Sequence, residues 1–108
     1  MEHYSIHLTQ TARIDIRDIG SYVSSVLREP LTAEKLVRRF IDAIFSLETM
    51  PERYALVSDQ YLASQGFRAL SVGDYLVFYT ITPGRGRVTV SRILYGRRDW
   101  VNILTKEF

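Results

Sequence analysis

Six arginines stand in the last third of the chain, and they are the residues most able to do chemistry. They are Arg68, Arg85, Arg87, Arg92, Arg97 and Arg98. A guanidinium is planar and donates paired hydrogen bonds to phosphate or carboxylate oxygens, and only two of the fourteen basic residues are lysine. The group therefore indicates recognition of a polyanion or of an acidic protein partner. For any single arginine, a place in solvent over hydrophobic neighbours is about as plausible.

The charge is unevenly divided along the chain. Residues 1–60 hold seven basic and nine acidic side chains, whereas residues 61–108 hold seven basic and three acidic ones. The modest overall charge of +2 thus hides a basic half. This half is where we expect function.

The elements that must position the arginines are three strands in a meander. Gly73 and Asp74 separate two apolar runs, residues 67–72 and 75–82, and a glycine at such a turn supplies the positive φ that tight hairpins need. A second turn at residues 83–86 leads into a third run, residues 87–95.

The N-terminal half predicts a strand and a helix. Residues 4–8 alternate between apolar and polar side chains, as in a strand with one buried face. From Ala12 the apolar positions recur at steps of four and three, which predicts a helix that ends near Arg28. Thr9 or Thr11 can cap its N-terminus.

Two further helices follow from caps and spacing. Thr32 is a good cap for a helix over residues 33–49, and Asp99 is one for a short last helix over residues 100–106. Residues 52–66 have no clean period, so we leave them unassigned and note that long loops often carry function.

These elements predict a single α+β domain over residues 1–108. An antiparallel two-helix hairpin packs on a four-stranded, mainly antiparallel sheet, which the first strand joins at either edge. Residues 75–81 are apolar at nearly every position, so we expect both faces of this strand to be covered. The hairpin covers one face, and the C-terminal tail or a partner chain covers the other.

Composition suggests a cytoplasmic protein. The chain has no cysteine, no apolar run of roughly 20 residues and no secretion signal at its start. We therefore expect no membrane association. No Cys/His cluster, phosphate-binding glycine loop or nucleophile elbow occurs in the sequence, so no metal or organic cofactor is implied.

Two strings of the basic half resemble a known family. The strand GDYLVFY, residues 73–79, and the ending VSRILYGRRD, residues 90–99, are similar to those of the RelE/ParE superfamily of bacterial toxins. The ending is typical of ParE-type members. The resemblance covers nearly the whole chain and implies a toxin whose cognate antitoxin wraps its sheet and helices, so that homo-oligomers can form through the antitoxin complex.

The resemblance leaves the mechanism open between two types. RelE-type members cleave mRNA on the ribosome, and such cleavage needs a base, a cation for the phosphate and an acid. Here Arg68, Arg92 and Arg97 are candidate phosphate clamps, and Tyr95 is a candidate proton donor or stacking residue. A glutamate base, Glu48 or Glu52, is possible by analogy. The lysine pair of RelE is missing, because no lysine lies between positions 36 and 105.

ParE-type members inhibit DNA gyrase and are not known to be catalytic, and the match to their ending favours this type. The arginines and the segment after residue 99 would then form a contact surface. A degenerate toxin that binds only its antitoxin is a third possibility. We also expect Arg98 and Asp99 to form a structural pair, and Phe78, Tyr79 and Trp100 to be packed.

Overall fold

The computed structural model describes residues 2–107, and its sheet confirms the predicted fold class. The strands are β1 (Ser5–Leu8), β2 (Arg68–Val72), β3 (Tyr75–Thr82) and β4 (Arg87–Tyr95). They lie in the order β1-β4-β3-β2, in which β1 is parallel to β4 and the other pairs are antiparallel. The short β1 pairs only with residues 87–90, so the second half of β4 extends beyond its neighbour.

The first helix begins after one of its two predicted caps, and with a π-helical extension it ends close to the predicted Arg28. Helix α1 spans Gln10–Ser21, and its cap is Thr9, whose Oγ1 accepts a hydrogen bond from the Ala12 amide at 3.0 Å. The helix continues as a π-helical turn, Tyr22–Val26, and Arg28 then takes a left-handed φ of +55°. The two long helices are thereby connected by a tight, exposed tip.

The second helix starts earlier than predicted. Helix α2 spans Pro30–Phe45, with Glu29 at the cap position and proline at the first turn. The prediction of Thr32 as the cap was wrong, because proline has a helical φ and lacks an amide that would need a partner there. The Thr32 hydroxyl instead donates to the Glu29 carboxylate at 3.2 Å. After α2 the chain tightens into a 3₁₀ turn, Ser46–Glu48.

Two short helices follow, one in the unassigned stretch and one at the end. The stretch holds a 3₁₀ turn, Pro51–Arg53, and helix α3 (Gln60–Ser64), which is capped by the Asp59 carboxylate at 3.0 Å from the Leu62 amide. The last helix, α4, spans Trp100–Glu107.

The sheet is covered on both faces by this chain itself. On one face, α1 and α2 pack over a core that includes Phe40, Val77 and Tyr79. On the other face, α3 and α4 pack over Phe78 and Leu94. The two covers explain why β3 is apolar at nearly every position, and the tail rather than a partner chain supplies the second one.

Candidate functional site

Arg92 is held inside the molecule by two carboxylates. Its Nε and Nη2 donate to the two oxygens of Asp15, at 2.7 and 3.0 Å, and its Nη1 donates to Glu107. The side chains of Arg92 and Asp15 are 12% and 11% exposed, and the hydrogen bonds that Arg92 donates to Asp15 are the main reason that the pKa of Arg92 is raised. Arg92 therefore links α1, β4 and α4 and is not free to hold a phosphate.

Asp15 has this position because β1 is short. Beyond the end of β1, the edge of β4 faces α1, and Asp15 also accepts a hydrogen bond from the Ile93 amide at 3.0 Å. One carboxylate thus satisfies a strand-edge amide and a buried guanidinium together. This pairing was not predictable from local sequence, because Asp15 and Arg92 are 77 residues apart.

Arg68 is also engaged, on the edge strand β2. Its Nη1 donates to the carbonyl oxygens of Glu52 and Tyr54, at 3.2 and 2.6 Å. The hydroxyl of the fully buried Tyr79 donates to the Pro51 carbonyl, and burial raises the pKa of Tyr79 to about 12. Arg68 and Tyr79 thereby fasten the connector after α2 to the sheet.

Arg68 and Arg92 lie on opposite faces of the sheet. Arg68 is paired with Tyr79 and Arg92 with Phe78. Because successive residues of a strand point to opposite faces, the partners of two neighbouring residues of β3 also lie on opposite faces. A single phosphate cannot contact both guanidinium groups.

Tyr95 and Arg97 lie together at the far end of β4. Tyr95 pairs with Tyr75, and Arg68 pairs with Tyr79, four residues further along β3. Measured along the strand, Tyr95 and Arg68 are therefore about 13 Å apart. Tyr95 is 38% exposed, and its ring packs edge-on against that of Tyr75 with 5.7 Å between the ring centroids. Of the four candidate residues, only Tyr95 and Arg97 share a region of the surface.

Arg97 and Arg98 extend from the turn after β4. Both are exposed, and neither guanidinium has a hydrogen bond or ion pair within residues 2–107. The expected pairing of Arg98 with Asp99 is absent from this part of the chain. Asp99 does cap α4, accepting from the amide and side chain of Asn102 at 3.4 and 2.5 Å, whereas Arg98 lines a groove.

Sequence reasoning missed this groove, which lies between α1 with its π-helical extension and the end of β4. Its walls include Asp18, Tyr22 and Leu27 on the helical side and Tyr95 and Arg98 on the strand side. The signal was present in the sequence as two large apolar residues at the end of a predicted helix. Tyr22 and Leu27 are each 51% exposed. This exposure depends on where the helix packs in the fold, so it could not be predicted from the sequence.

The proposed carboxylate bases are far from this region in the chain's architecture. Glu48 and Glu52 are exposed on the connector after α2. This is the connector to which Arg68 donates its hydrogen bonds. Asp18 is an exposed carboxylate that lines the groove together with Tyr95, and it is paired with Arg17 at 3.4 Å. The arrangement suits binding at the end of β4 more than proton transfer among the four candidates.

Neither a metal site nor a membrane span is found in the described chain. Within residues 2–107, no three His, Cys, Asp or Glu side chains are grouped so that they could hold a metal ion. None of the helices in this range is long and apolar enough to cross a membrane.

Comparisons with known proteins agree with the fold. Residues 6–100 match the family model of the ParE toxin of the type II toxin–antitoxin system parDE. The chromosomal ParDE system of P. aeruginosa has a similar structure, with a TM-score of 0.70 and 19% identity over 86% of this chain and 96% of that one. The RelBE2 toxin–antitoxin complex of Mycobacterium tuberculosis has a TM-score of 0.67 and 21% identity, over 88% and 93% of the two chains.

No curated protein matches the chain in sequence. Both solved structures are below 25% identity and support the fold alone. The family model spans almost the whole chain. This chain therefore belongs to the ParE toxin family and is the toxin of a type II toxin–antitoxin module.

Proposed function

We propose that this toxin inhibits growth in the cytoplasm by binding DNA gyrase, that it catalyses no reaction itself, and that its cognate antitoxin neutralises it. The observation that carries the proposal is the separation of the four candidate residues. Arg92 is bound by two carboxylates on one face, Arg68 is bound by backbone carbonyls on the other, and Tyr95 and Arg97 lie at a third place. Such an arrangement lacks the converging base, cation and acid that RNA cleavage needs.

The surface proposed to bind the target is the end of β4. Tyr95, Arg97 and Arg98 are exposed there. Helix α4 follows directly, and its Trp100 packs inward against Phe78 with 5.2 Å between the ring centroids. Tyrosine and arginine are enriched at protein interfaces, and exposed arginines also bind DNA phosphates. Arg68 and Arg92 have a different proposed role, which is to position the elements around this surface.

The two mechanisms are separated by two assays on the same preparation. Purified toxin is titrated into a gyrase supercoiling reaction, and new 5′ ends of ribosome-bound mRNA are mapped after induced expression. We expect inhibited supercoiling and intact mRNA. New cleavage sites with unimpaired supercoiling would establish the ribosome-dependent endoribonuclease instead, and an effect in neither assay would indicate a toxin that binds only its antitoxin.

The target surface is tested with a matched pair of variants. Arg97→Ala removes an exposed arginine at the proposed surface, and Arg85→Ala removes one from the β3–β4 turn at the other end of β4. Arginine is enriched among the interface residues whose loss costs more than about 1 kcal/mol, so Arg97→Ala at the centre of the proposed surface should raise the inhibitory concentration about fivefold or more. Arg85→Ala should leave it unchanged, and equal effects of both variants would exclude a localised surface.

A further inference from the structure

Arg85 and Arg87 form a second pair of exposed arginines, at the end of β4 opposite to Arg97. Arg85 lies in the β3–β4 turn, and Arg87 is the first residue of β4. Neither guanidinium has a hydrogen bond or ion pair within residues 2–107. Unlike Arg68 and Arg92, these two arginines are therefore available to a ligand from outside the chain.

The sheet face on which Arg87 lies is covered over only part of its length. Helices α3 and α4 cover one part of it. In the other part, the neighbours along each strand, Ile6, Ile81 and Val88, pack in the core under the helical hairpin, so the residues between them point to the opposite side. We name this part the open sheet face and define it by Ser5, His7, Thr80, Thr82, Arg87 and Thr89. Every one of these side chains is polar, and the first two and Arg87 are exposed.

No carboxylate is part of the open sheet face. Residues 3–14 and 75–98, which contain β1, β3, β4 and the β3–β4 turn, include no aspartate or glutamate. Asp15 and Glu107 reach β4 from α1 and α4, but both are bound to Arg92. The positive charge at the start of β4 therefore has no counter-ion on its own strands.

The β3–β4 turn carries Arg85 clear of the sheet. Gly84 and Gly86 have left-handed φ values of +73° and +58°, and a Cβ placed on Gly84 would meet no atom within 4 Å. The turn thus stands out into open space, with Arg85 at its tip, two residues from Arg87. Together with His7 on β1, these side chains form a row of hydrogen-bond donors that faces solvent.

The composition of this surface fits the phosphate backbone of a nucleic acid duplex. Guanidinium groups and the hydroxyls of serine and threonine are common contacts of DNA phosphates. Single strands are held largely by stacking of their bases on aromatic rings, and the open sheet face has no Phe, Tyr or Trp. A protein partner would be anchored by large apolar or aromatic side chains, which this face also lacks.

We propose that the open sheet face and Arg85 bind the phosphate backbone of duplex DNA without reading its sequence. Arg85 and Arg87 each neutralise one phosphate, and the neighbouring hydroxyls donate hydrogen bonds to the same strand. The site lies at the other end of β4 from the surface proposed for gyrase, so the toxin can contact DNA and gyrase together. The inference goes beyond the proposed function and does not depend on it.

The test measures binding of the purified toxin to a fluorescently labelled DNA duplex of arbitrary sequence, from about 50 to 200 mM salt. Each neutralised phosphate contributes about −0.9 to the slope of log affinity against log salt concentration. The variant Arg85→Gln/Arg87→Gln should therefore flatten the slope by about 1.8, so that this rise in salt costs wild type about tenfold more affinity than it costs the variant. An unchanged slope, or a wild-type toxin that does not bind the duplex, would overturn the proposal.

The matched control is Arg97→Gln/Arg98→Gln, which removes the same charge at the other end of β4. Asp99 follows these arginines directly and Asp18 lines the groove with Arg98, so this end attracts DNA less, and the control should keep the wild-type slope. Equal flattening by both double variants would mean that only net charge acts, and this would refute the assignment. Stronger competition by a single strand or by an RNA duplex of the same length would refute duplex DNA as the ligand.

The gyrase supercoiling assay on the same variants separates this inference from the proposed function. The variant Arg85→Gln/Arg87→Gln should inhibit gyrase as wild type does, whereas Arg97→Gln/Arg98→Gln should inhibit it less. Duplex binding by a toxin that does not inhibit supercoiling would contradict the gyrase proposal alone. Both variants replace exposed side chains and should melt within about 0.5 kcal/mol of wild type, so a change in binding is not a loss of folding.

Discussion

Replacing Arg92 with methionine should be among the most destabilising single substitutions in this toxin. The change keeps an apolar stem of similar length and removes the guanidinium that Asp15 and Glu107 share. Asp15 would then remain almost buried with only the Ile93 amide as a partner. Removing one member of a buried pair costs about 3–5 kcal/mol, and the remaining hydrogen bond places this case near 3 kcal/mol.

The loss should be easily measured by thermal and urea unfolding followed by circular dichroism. For a domain of about 100 residues, 1 kcal/mol corresponds to a Tm change of roughly 4 °C or more, so Arg92→Met should lower Tm by about 12 °C. Arg97→Met is the matched control, because Arg97 is exposed and unpaired in the described chain. That variant should stay within about 0.5 kcal/mol of wild type.

A double variant tests the reasoning itself. Asp15→Asn keeps an oxygen for the Ile93 amide and removes the charge that Arg92→Met leaves without a partner. Asp15→Asn/Arg92→Met should therefore be more stable than Arg92→Met alone, although it carries one more substitution. If the double variant is the less stable of the two, or if Arg92→Met melts like wild type, the ion pair does not stabilise this fold as argued.

Three other outcomes follow from buried groups and from a turn. Burial raises the pKa of Tyr79 to about 12, above the ordinary value of 10, so the free energy of unfolding should fall by about 2–3 kcal/mol as the pH rises from 10 to 12. In urea unfolding, the variant Tyr79→Phe should lack this part of the decline. Leu104→Ala should cost about 2–5 kcal/mol in the same assay, because Leu104 is the fully buried residue by which α4 packs on the sheet, and a loss below 1 kcal/mol would mean that α4 is not packed there. Gly73→Ala should cost about 1 kcal/mol or more, since φ is +58° in the β2–β3 turn, whereas Ser71→Ala, at the exposed position of β2, should be nearly neutral.

The sequence predicted elements well where local signals agreed. The three strands of the meander were placed within a residue of their ends, because their apolar runs are separated by glycine turns. The cap of α1 was narrowed to two threonines, of which Thr9 is the one used. The start of α2 was misplaced because Pro30 and Thr32 are competing signals two residues apart, and α3 was missed because five residues are too few to show a period.

The candidate site was less predictable, for a reason that Arg92 illustrates. An arginine on a strand looks the same in sequence whether it faces solvent, a phosphate or a buried carboxylate. Its partner Asp15 is 77 residues away, and the pairing depends on how far β1 extends along β4. The residue type indicated the chemistry correctly, as bidentate binding of a carboxylate, but could not indicate that the carboxylate belongs to the toxin itself.

The length of β1 thus controls both the stability of this toxin and the surface that it offers. Had β1 continued past Leu8, it would have paired with the rest of β4 and closed the strand edge at Ile93 and Tyr95. Because β1 ends there, Thr9 and Asp15 satisfy the next part of the edge, through hydrogen bonds to the Ser91 carbonyl and the Ile93 amide. Asp15 is then in place to bind Arg92, and α1 is held far enough from β4 to leave a groove. The same short strand that makes Arg92 a structural residue therefore leaves the Tyr95 amide without a backbone partner in residues 2–107.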